Sequence, residues 1–108
     1  NLFFVLGPNS CLGHTSAILS IEAMVGSNIR LISDALARGI TRVEAPEQGQ
    51  RAWTEHAHDY LSRGVWTTGG CTSYFIDADG VNRAAYPGSA RDQQRRMASL
   101  TLDDYACA

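Results

Sequence analysis

The chain has 108 residues, of which 44% are hydrophobic and 19% charged, and its formal net charge is −2. A chain of this length forms one domain at most, and its slightly acidic charge provides no basic surface for nucleic acid or an anionic membrane. No apolar run is long enough to cross a bilayer, and no signal-peptide pattern is present.

The first third of the chain predicts a strand, a loop and a long helix. Residues 2–6 are a continuous apolar run, which is typical of a strand covered on both faces. A glycine-bearing loop follows over residues 7–13, and a helix is predicted over 15–38 because apolar residues recur three and four apart. Gly39 is placed for a left-handed cap at the end of this helix. The apolar stripe comprises Ile18, Ile21, Val25, Ile29, Ile32 and Leu36.

Helix 15–38 is long for a domain of this size, so we expect it to belong to a larger core. The chain also begins within a strand-like motif and without an initiator methionine. We therefore expect residues 1–108 to be a single-domain fragment of a longer protein. Since a fragment would leave part of the stripe uncovered, we expect self-association through helix 15–38 or packing against another chain.

The remaining chain predicts two further helices and two short β elements. A short strand is expected at 41–44. A helix should begin at Pro46 and end near Arg63, with Gly64 as its cap and an apolar face. That face comprises Trp53, Ala57, Tyr60 and Leu61.

Beyond Gly64 we expect an irregular segment at 65–72 and then a β-hairpin. Its strands are 74–76 and 81–85, and its turn is 77–80, where Gly80 supplies a positive φ. A last helix should start after Ser89 and run to about Leu100, and the tail 101–108 should be frayed. The expected fold class is therefore α/β or α+β.

The chemistry-bearing residues favour a binding site over a catalytic one. A strand, a glycine-bearing loop and a helix N-terminus can bind an anion or an electron-rich carbonyl. In that turn His14 donates a hydrogen bond to a ligand, helps to cap the helix or simply packs, and Asn9 either contacts a ligand or closes a turn. Ser10 is expected to close a turn, and Thr15 and Ser16 to act as helix caps.

No metal site or hydrolase motif is expected elsewhere in the chain. His56 and His58 are two residues apart on a helix and so point to different faces. Asp77 and Asp79 lack the later ligands of a calcium loop, and no GxSxG motif is present. The three cysteines lack CxxC spacing, which argues against a disulfide framework and favours a reducing cytoplasm.

Two segments of the chain carry a family resemblance. The first, NLFFVLGPNSCLGHTSAILSIEA, resembles a segment near the C-terminus of Baeyer–Villiger-type flavoprotein monooxygenases, in which a turn brings a helix N-terminus to the flavin of FAD. The second, VWTTGGCTSY followed by DADG, Asn82 and YPG, is similar to the VWTTGGCxSWYxDxxGxN…WPG ending of one branch of that family. The chain departs from these patterns at Cys11, and at Tyr74 and Tyr86, where tryptophans are expected.

The resemblance implies the C-terminal piece of a Rossmann-like FAD-binding domain. The parent enzyme would use FAD and NADPH to insert oxygen into a ketone, and the rest of that enzyme would be this chain's partner. The resemblance assigns cofactor binding to Pro8, Asn9, Gly13, His14 and Thr15. It places the catalytic arginine upstream, so no catalytic residue is expected here.

Three alternatives to this interpretation remain at the level of sequence. The parent could oxygenate nitrogen or sulfur instead of a ketone, or the chain could be a non-catalytic structural or dimerisation module. The chain contains no GxGxxG phosphate-binding fingerprint. We therefore expect that these residues alone bind neither FAD nor NADP.

Overall fold

The computed structural model describes all residues 1–108, which form four helices, a 3₁₀ turn and a two-stranded antiparallel sheet. The fold is α+β, as expected, but two short antiparallel strands do not make the parallel sheet of a Rossmann-like domain. In chain order the elements are α1 (Ala17–Ala37), β1 (Val43–Glu44), α2 (Glu47–Ser62), α3 (Val65–Thr68), α4 (Ala90–Ser99), the 3₁₀ turn (Leu102–Asp104) and β2 (Ala106–Cys107).

The long helix α1 confirms the predicted helix to within two residues at each end. It begins after Ser16, whose hydroxyl accepts a hydrogen bond from the backbone N–H of Ile18 at 3.3 Å. It ends at Ala37, and Gly39 follows with a φ of 68°, as expected for a left-handed cap. Local signals at both ends of this helix were therefore sufficient to place it.

The face of α1 that is buried is not its apolar stripe. The side chains that face the body of the protein are Ser20, Met24, Ser27, Leu31 and Ala35. By contrast, Ile18, Ile29 and Leu36 of the stripe are 65%, 60% and 74% exposed. The α1 helix therefore packs through a mixed face that contains two serines, while much of its aliphatic face is uncovered.

The core is small and includes the C-terminal tail. Leu31 and Ala35 of α1 pack with Val43 and Leu102, and partly buried Phe3, Ile40 and Tyr105 surround them. The prediction of a frayed tail is wrong, because Leu102 is buried in this cluster and β2 pairs antiparallel with β1, with Cys107 opposite Val43. Apolar burial and backbone pairing thus order the last residues of the chain.

The predicted strand at residues 2–6 is not formed. None of the backbone N–H groups of residues 2–5 donates to another group of the chain. A strand needs a neighbour with free backbone groups. In β1, both backbone groups of Val43 are already bonded to Asn1: the Val43 N–H donates to the Asn1 side chain, and the Asn1 amino group donates to the Val43 carbonyl. The apolar run is therefore left largely exposed.

The remaining elements match the prediction in part. In α2, Ala57 and Leu61 are buried as expected, whereas Tyr60 is half exposed. Gly64 does not provide a left-handed cap but precedes α3, a single helical turn in the segment expected to be irregular. The hairpin is reduced to one antiparallel bridge between Ile76 and Asn82.

The α4 helix follows its predicted start closely. Ser89 caps it by accepting a hydrogen bond from the N–H of Asp92 at 3.2 Å. At its other end the guanidinium of Arg30, on α1, donates to the carbonyl oxygens of Met97, Ala98 and Leu100 at 2.9–3.3 Å. Since the last carbonyls of a helix have no partner within it, this contact both completes α4 and fixes it against α1.

The molecule is elongated, with dimensions of 51 × 28 × 19 Å. Its radius of gyration is 15.2 Å, whereas a compact domain of about 100 residues has about 13 Å. No helix has both the length and the apolar character needed to cross a membrane. The helices and strands of the chain therefore surround a hydrophobic core that is small for a chain of 108 residues.

Candidate functional site

The candidate site is the loop at residues 7–13, which is bound to the segment 82–86 by backbone hydrogen bonds. The N–H of Asn9 donates to the Arg83 carbonyl at 2.8 Å, and the N–H of Cys11 to the Ala84 carbonyl at 2.9 Å. The N–H of Tyr86 returns a bond to the Cys11 carbonyl at 2.7 Å. The two sequence segments that carry the family resemblance are thus in direct contact, although they lie about seventy positions apart.

Asn9 is the central residue of this junction. Its φ is 51°, a left-handed conformation that asparagine tolerates better than most residues. Its side-chain amide donates to the carbonyls of Asn82 and Ala85, both at 3.1 Å, and the residue is 8% exposed. Since both amide hydrogens are engaged within the chain, Asn9 shapes the loop from inside and cannot donate to a ligand at the same time.

Two further contacts hold the loop, one from α4 and one within the loop itself. Gln93 of α4, which is 1% exposed, donates its amide to the Ser10 carbonyl at 3.0 Å. The Ser10 hydroxyl donates to the Gly7 carbonyl, which confirms the expected turn. Contacts to α4 and to segment 82–86 therefore define the shape of the loop.

The outer side of the loop carries most of the predicted site residues. Pro8, Gly13 and His14 are exposed and Thr15 is half-buried. The backbone N–H groups of residues 13–17 donate to no other group of the chain. A methyl group added at Gly13 would meet no atom within 4 Å. This surface therefore offers several free donors and space for a flat group to approach.

A cavity of about 550 Å³ lies on the inner side of the loop. That volume is within the usual range for small-molecule pockets. Pro8 and Asn9 line it, whereas Gly13, His14 and Thr15 do not. The structure thus places the five predicted residues in one continuous segment, 8–15, but divides them between two surfaces.

An aromatic and charged group forms part of the cavity wall. The rings of Trp53 and Tyr86 are 5.9 Å apart, and the guanidinium of Arg96 lies 4.4 Å from the Trp53 ring centre. The Tyr86 hydroxyl donates to the Asp92 carboxylate at 2.7 Å. Burial, with that carboxylate, raises the pKa of the Tyr86 hydroxyl well above its ordinary value.

The turn at 77–80 is held together by the side chain of Asp77. The Asp77 carboxylate accepts hydrogen bonds from the N–H groups of Val81 and Asp79, and it pairs with Arg83. The Val81 bond, followed by the Arg83 contact, lowers the pKa of the Asp77 carboxyl below its ordinary value. Nowhere in the chain do three His, Cys, Asp or Glu side chains gather as metal ligands would.

Sequence reasoning missed three residues that build the site. The side-chain oxygen of Asn82 accepts hydrogen bonds from the N–H groups of Ala84 and Ala85. Gln93 donates to the loop, and Arg30 holds the end of α4. Asn82 belongs to the second motif in the sequence, but the sequence does not show that it contacts the loop at residues 7–13. The sequence gives only a weak signal for Gln93, because it is one of many polar residues in a hydrophilic helix. Nothing in that pattern indicates that the Gln93 side chain is the one that is buried.

Comparison with known proteins identifies relatives along almost the whole chain. A Baeyer–Villiger monooxygenase of Streptomyces coelicolor is 34% identical over 110 aligned residues, which include 97% of this chain and 20% of that protein. A Baeyer–Villiger monooxygenase of Pseudomonas aeruginosa is 33% identical over 82% of this chain and 17% of its own length. The FAD-binding monooxygenase ktnD of Aspergillus niger is 26% identical over 97% of this chain and 18% of its own length.

These similarities confirm the family resemblance found in the sequence. No family model matches the chain, and no solved structure matches it significantly. The chain spans about a fifth of the length of the curated relatives it matches. With two relatives above 30% identity over most of its residues, the chain belongs to the Baeyer–Villiger-type flavin monooxygenases and corresponds to one part of such an enzyme.

Proposed function

We propose that these residues form the C-terminal part of the Rossmann-like FAD-binding domain of a cytoplasmic monooxygenase. The parent enzyme uses FAD and NADPH to insert one oxygen atom of O₂ into a ketone. The observation that carries this proposal is the similarity to two Baeyer–Villiger monooxygenases over most of the chain, and a third relative is named as FAD-binding. The contact between the two motif-bearing segments supports it, since the residues of the resemblance form one structural unit.

The N–H groups near the start of α1 could bind an oxygen at the edge of the flavin ring. The N–H groups of residues 13–17 have no partner within the chain, and a Cβ at Gly13 would meet no atom within 4 Å. Such donors, at the start of α1, favour an oxygen that carries partial negative charge. By contrast, no GxGxxG turn is present to bind phosphates.

The role we assign to this chain is to orient and stabilise the flavin. Bound flavin supplies the redox chemistry of such enzymes. Gly13, His14 and Thr15 would lie against a carbonyl edge of the ring, and their N–H groups would stabilise negative charge on it. Asn9 would act from the inside by holding the loop in shape, and Pro8 would lie at the boundary between the loop surface and the cavity.

Expression of the full-length protein tests the proposal. We expect a yellow protein with bound FAD, oxidation of NADPH that depends on a ketone, and an ester or lactone as the product. Parallel assays with a sulfide and a tertiary amine separate ketone oxygenation from sulfur or nitrogen oxygenation. A purified full-length protein that is colourless and does not take up added FAD would contradict the proposal.

A further inference from the structure

The cavity on the inner side of the loop has no part in the proposed flavin contacts. Those contacts involve the N–H groups near the start of α1, whereas the cavity is lined by residues of α2, α4 and the inner side of the loop. Its volume of about 550 Å³ suits a small molecule, and half of its lining residues are hydrophobic. An apolar cavity with a few polar groups is the usual form of a small-molecule site.

Two helices each present one face to this cavity. The cavity residues of α4 and its C-terminal end recur three and four positions apart, which places them on one side of the helix, and they are Gln93, Arg96, Met97 and Leu100. On α2, Gln50 and Trp53 are three positions apart and share a face in the same way. Much of the cavity wall is therefore built from regular structure, which holds its side chains in defined positions.

Arg96 gives this wall a positive charge that has no counter-ion. Every arginine before α4 either pairs with a carboxylate or, as Arg30 does, donates to backbone carbonyls. Asp92 is one turn before Arg96 on α4, but its carboxylate accepts the Tyr86 hydroxyl and forms no ion pair with the guanidinium. The guanidinium lies 4.4 Å from the Trp53 ring centre, and this cation–π contact restrains it at the wall.

We propose that this cavity binds a small organic carboxylate with an apolar body, and that the carboxylate pairs with Arg96. A planar guanidinium matches a carboxylate through two parallel hydrogen bonds. Arg96 is the only cationic side chain that lines the cavity, and the acidic Asp104 lines it as well, so a monoanion suits the site better than a doubly charged phosphate. The apolar body would contact Met24, Met97 and Pro46. This site is separate from the flavin contacts and does not depend on the proposed oxygenation.

Calorimetric titration of the full-length protein with a matched pair of probes tests the proposal. Octanoate and octanamide have the same carbon chain and nearly the same shape, but only octanoate is charged. FAD and NADP are kept at saturating concentration, so that any site for these cofactors is closed to both probes. We expect octanoate to bind about tenfold more tightly than octanamide or better, because hydrogen bonds between charged groups are the stronger ones. Equal affinities for the two probes, or no binding of octanoate up to the millimolar range, would overturn the proposal.

Arg96 and Arg95 provide matched variants for the same titration. They are adjacent on α4 and both are exposed, but only Arg96 lines the cavity. Arg96→Gln should weaken octanoate binding about tenfold or more and leave octanamide binding unchanged, whereas Arg95→Gln should change neither. An equal loss of octanoate affinity in both variants would show that general surface charge binds the carboxylate, and the proposal would be wrong. If the Arg96 variant fails to fold, the comparison of the two probes on the wild-type protein still decides the question.

Discussion

Substitution of Asn9 offers the sharpest test of how the loop is built. Asn9→Ala removes the donors to the carbonyls of Asn82 and Ala85, each at 3.1 Å in a buried setting. Each lost hydrogen bond costs about 1 kcal/mol, and somewhat more where a buried carbonyl loses its partner. Alanine at a φ of 51° adds about 1 kcal/mol of backbone strain. We therefore expect a loss of about 3 kcal/mol in the free energy of unfolding.

A companion variant separates the two contributions. Asn9→Gly removes the same hydrogen bonds but accepts the positive φ without strain, so it should be about 1 kcal/mol more stable than Asn9→Ala. Urea denaturation of the three proteins gives these differences directly. If Asn9→Gly were as stable as wild type, the amide hydrogen bonds would contribute nothing, and the reasoning about the loop would be refuted.

Three further outcomes follow from other parts of the structure. Gly13→Val in the full-length enzyme should lower the FAD content without unfolding the protein, since a Cβ at this position meets no atom of the chain within 4 Å but would lie against the flavin. Normal flavin content and turnover would contradict the placement of the ring. Arg30→Leu should cost about 1 kcal/mol in thermal unfolding because three carbonyls at the end of α4 lose their donor, whereas Arg38→Leu, which breaks only an exposed 3.9 Å contact to Asp103, should cost almost nothing. The pKa of the Asp77 carboxyl is lowered in the folded protein, so the stabilisation that the carboxylate gives the turn is present above the ordinary value of 3.8 and is lost as the pH falls through the folded pKa. The amide signal of Val81, followed by NMR during acid titration, should therefore shift with a midpoint below pH 3.8. A midpoint at or above pH 3.8 would be inconsistent with the hydrogen bond from Val81 to Asp77.

Local chemistry was enough to predict most of the helices. Ser16 and Ser89 are side-chain caps, Gly39 has the expected positive φ, and each signal acts within a few residues of the helix end. The turn around Gly80 is formed for the same reason, with a φ of 76°. These features depend on short-range hydrogen bonds and backbone sterics, which a sequence displays directly.

Features that depend on distant partners could not be predicted in the same way. Periodicity identified an apolar stripe on α1, but it does not say which element covers a face, and the chain packs Ser20 and Ser27 inward instead. The apolar composition of segment 2–6 favoured a strand, yet this chain has no free strand edge for it. Conversely, the tail has little pattern of its own and is ordered because Leu102 reaches the core.

The sequence predicted where the candidate site lies but not which of its residues face a ligand and which hold the loop in shape. The family resemblance selected Pro8, Asn9, Gly13, His14 and Thr15 as one group of ligand contacts. In the structure Asn9 faces inward and holds segment 82–86, while His14 has an exposed side chain. A motif records which residues belong together, but a residue that touches the ligand and one that supports the loop look the same in it.

The final prediction is that these 108 residues alone do not bind FAD measurably. The free N–H groups of residues 13–17 can supply two or three hydrogen bonds, each worth about 1 kcal/mol, and the helix dipole adds about 0.3–1 kcal/mol at an exposed site. Even millimolar affinity requires about 4 kcal/mol, and the phosphate-binding turn that would add to it is absent from this sequence. Titration of the chain with FAD, followed by flavin fluorescence, should therefore show no saturation below the millimolar range. Micromolar binding would mean that the loop and the 550 Å³ cavity already form a complete site, so that the rest of the enzyme contributes less to cofactor binding than its length suggests.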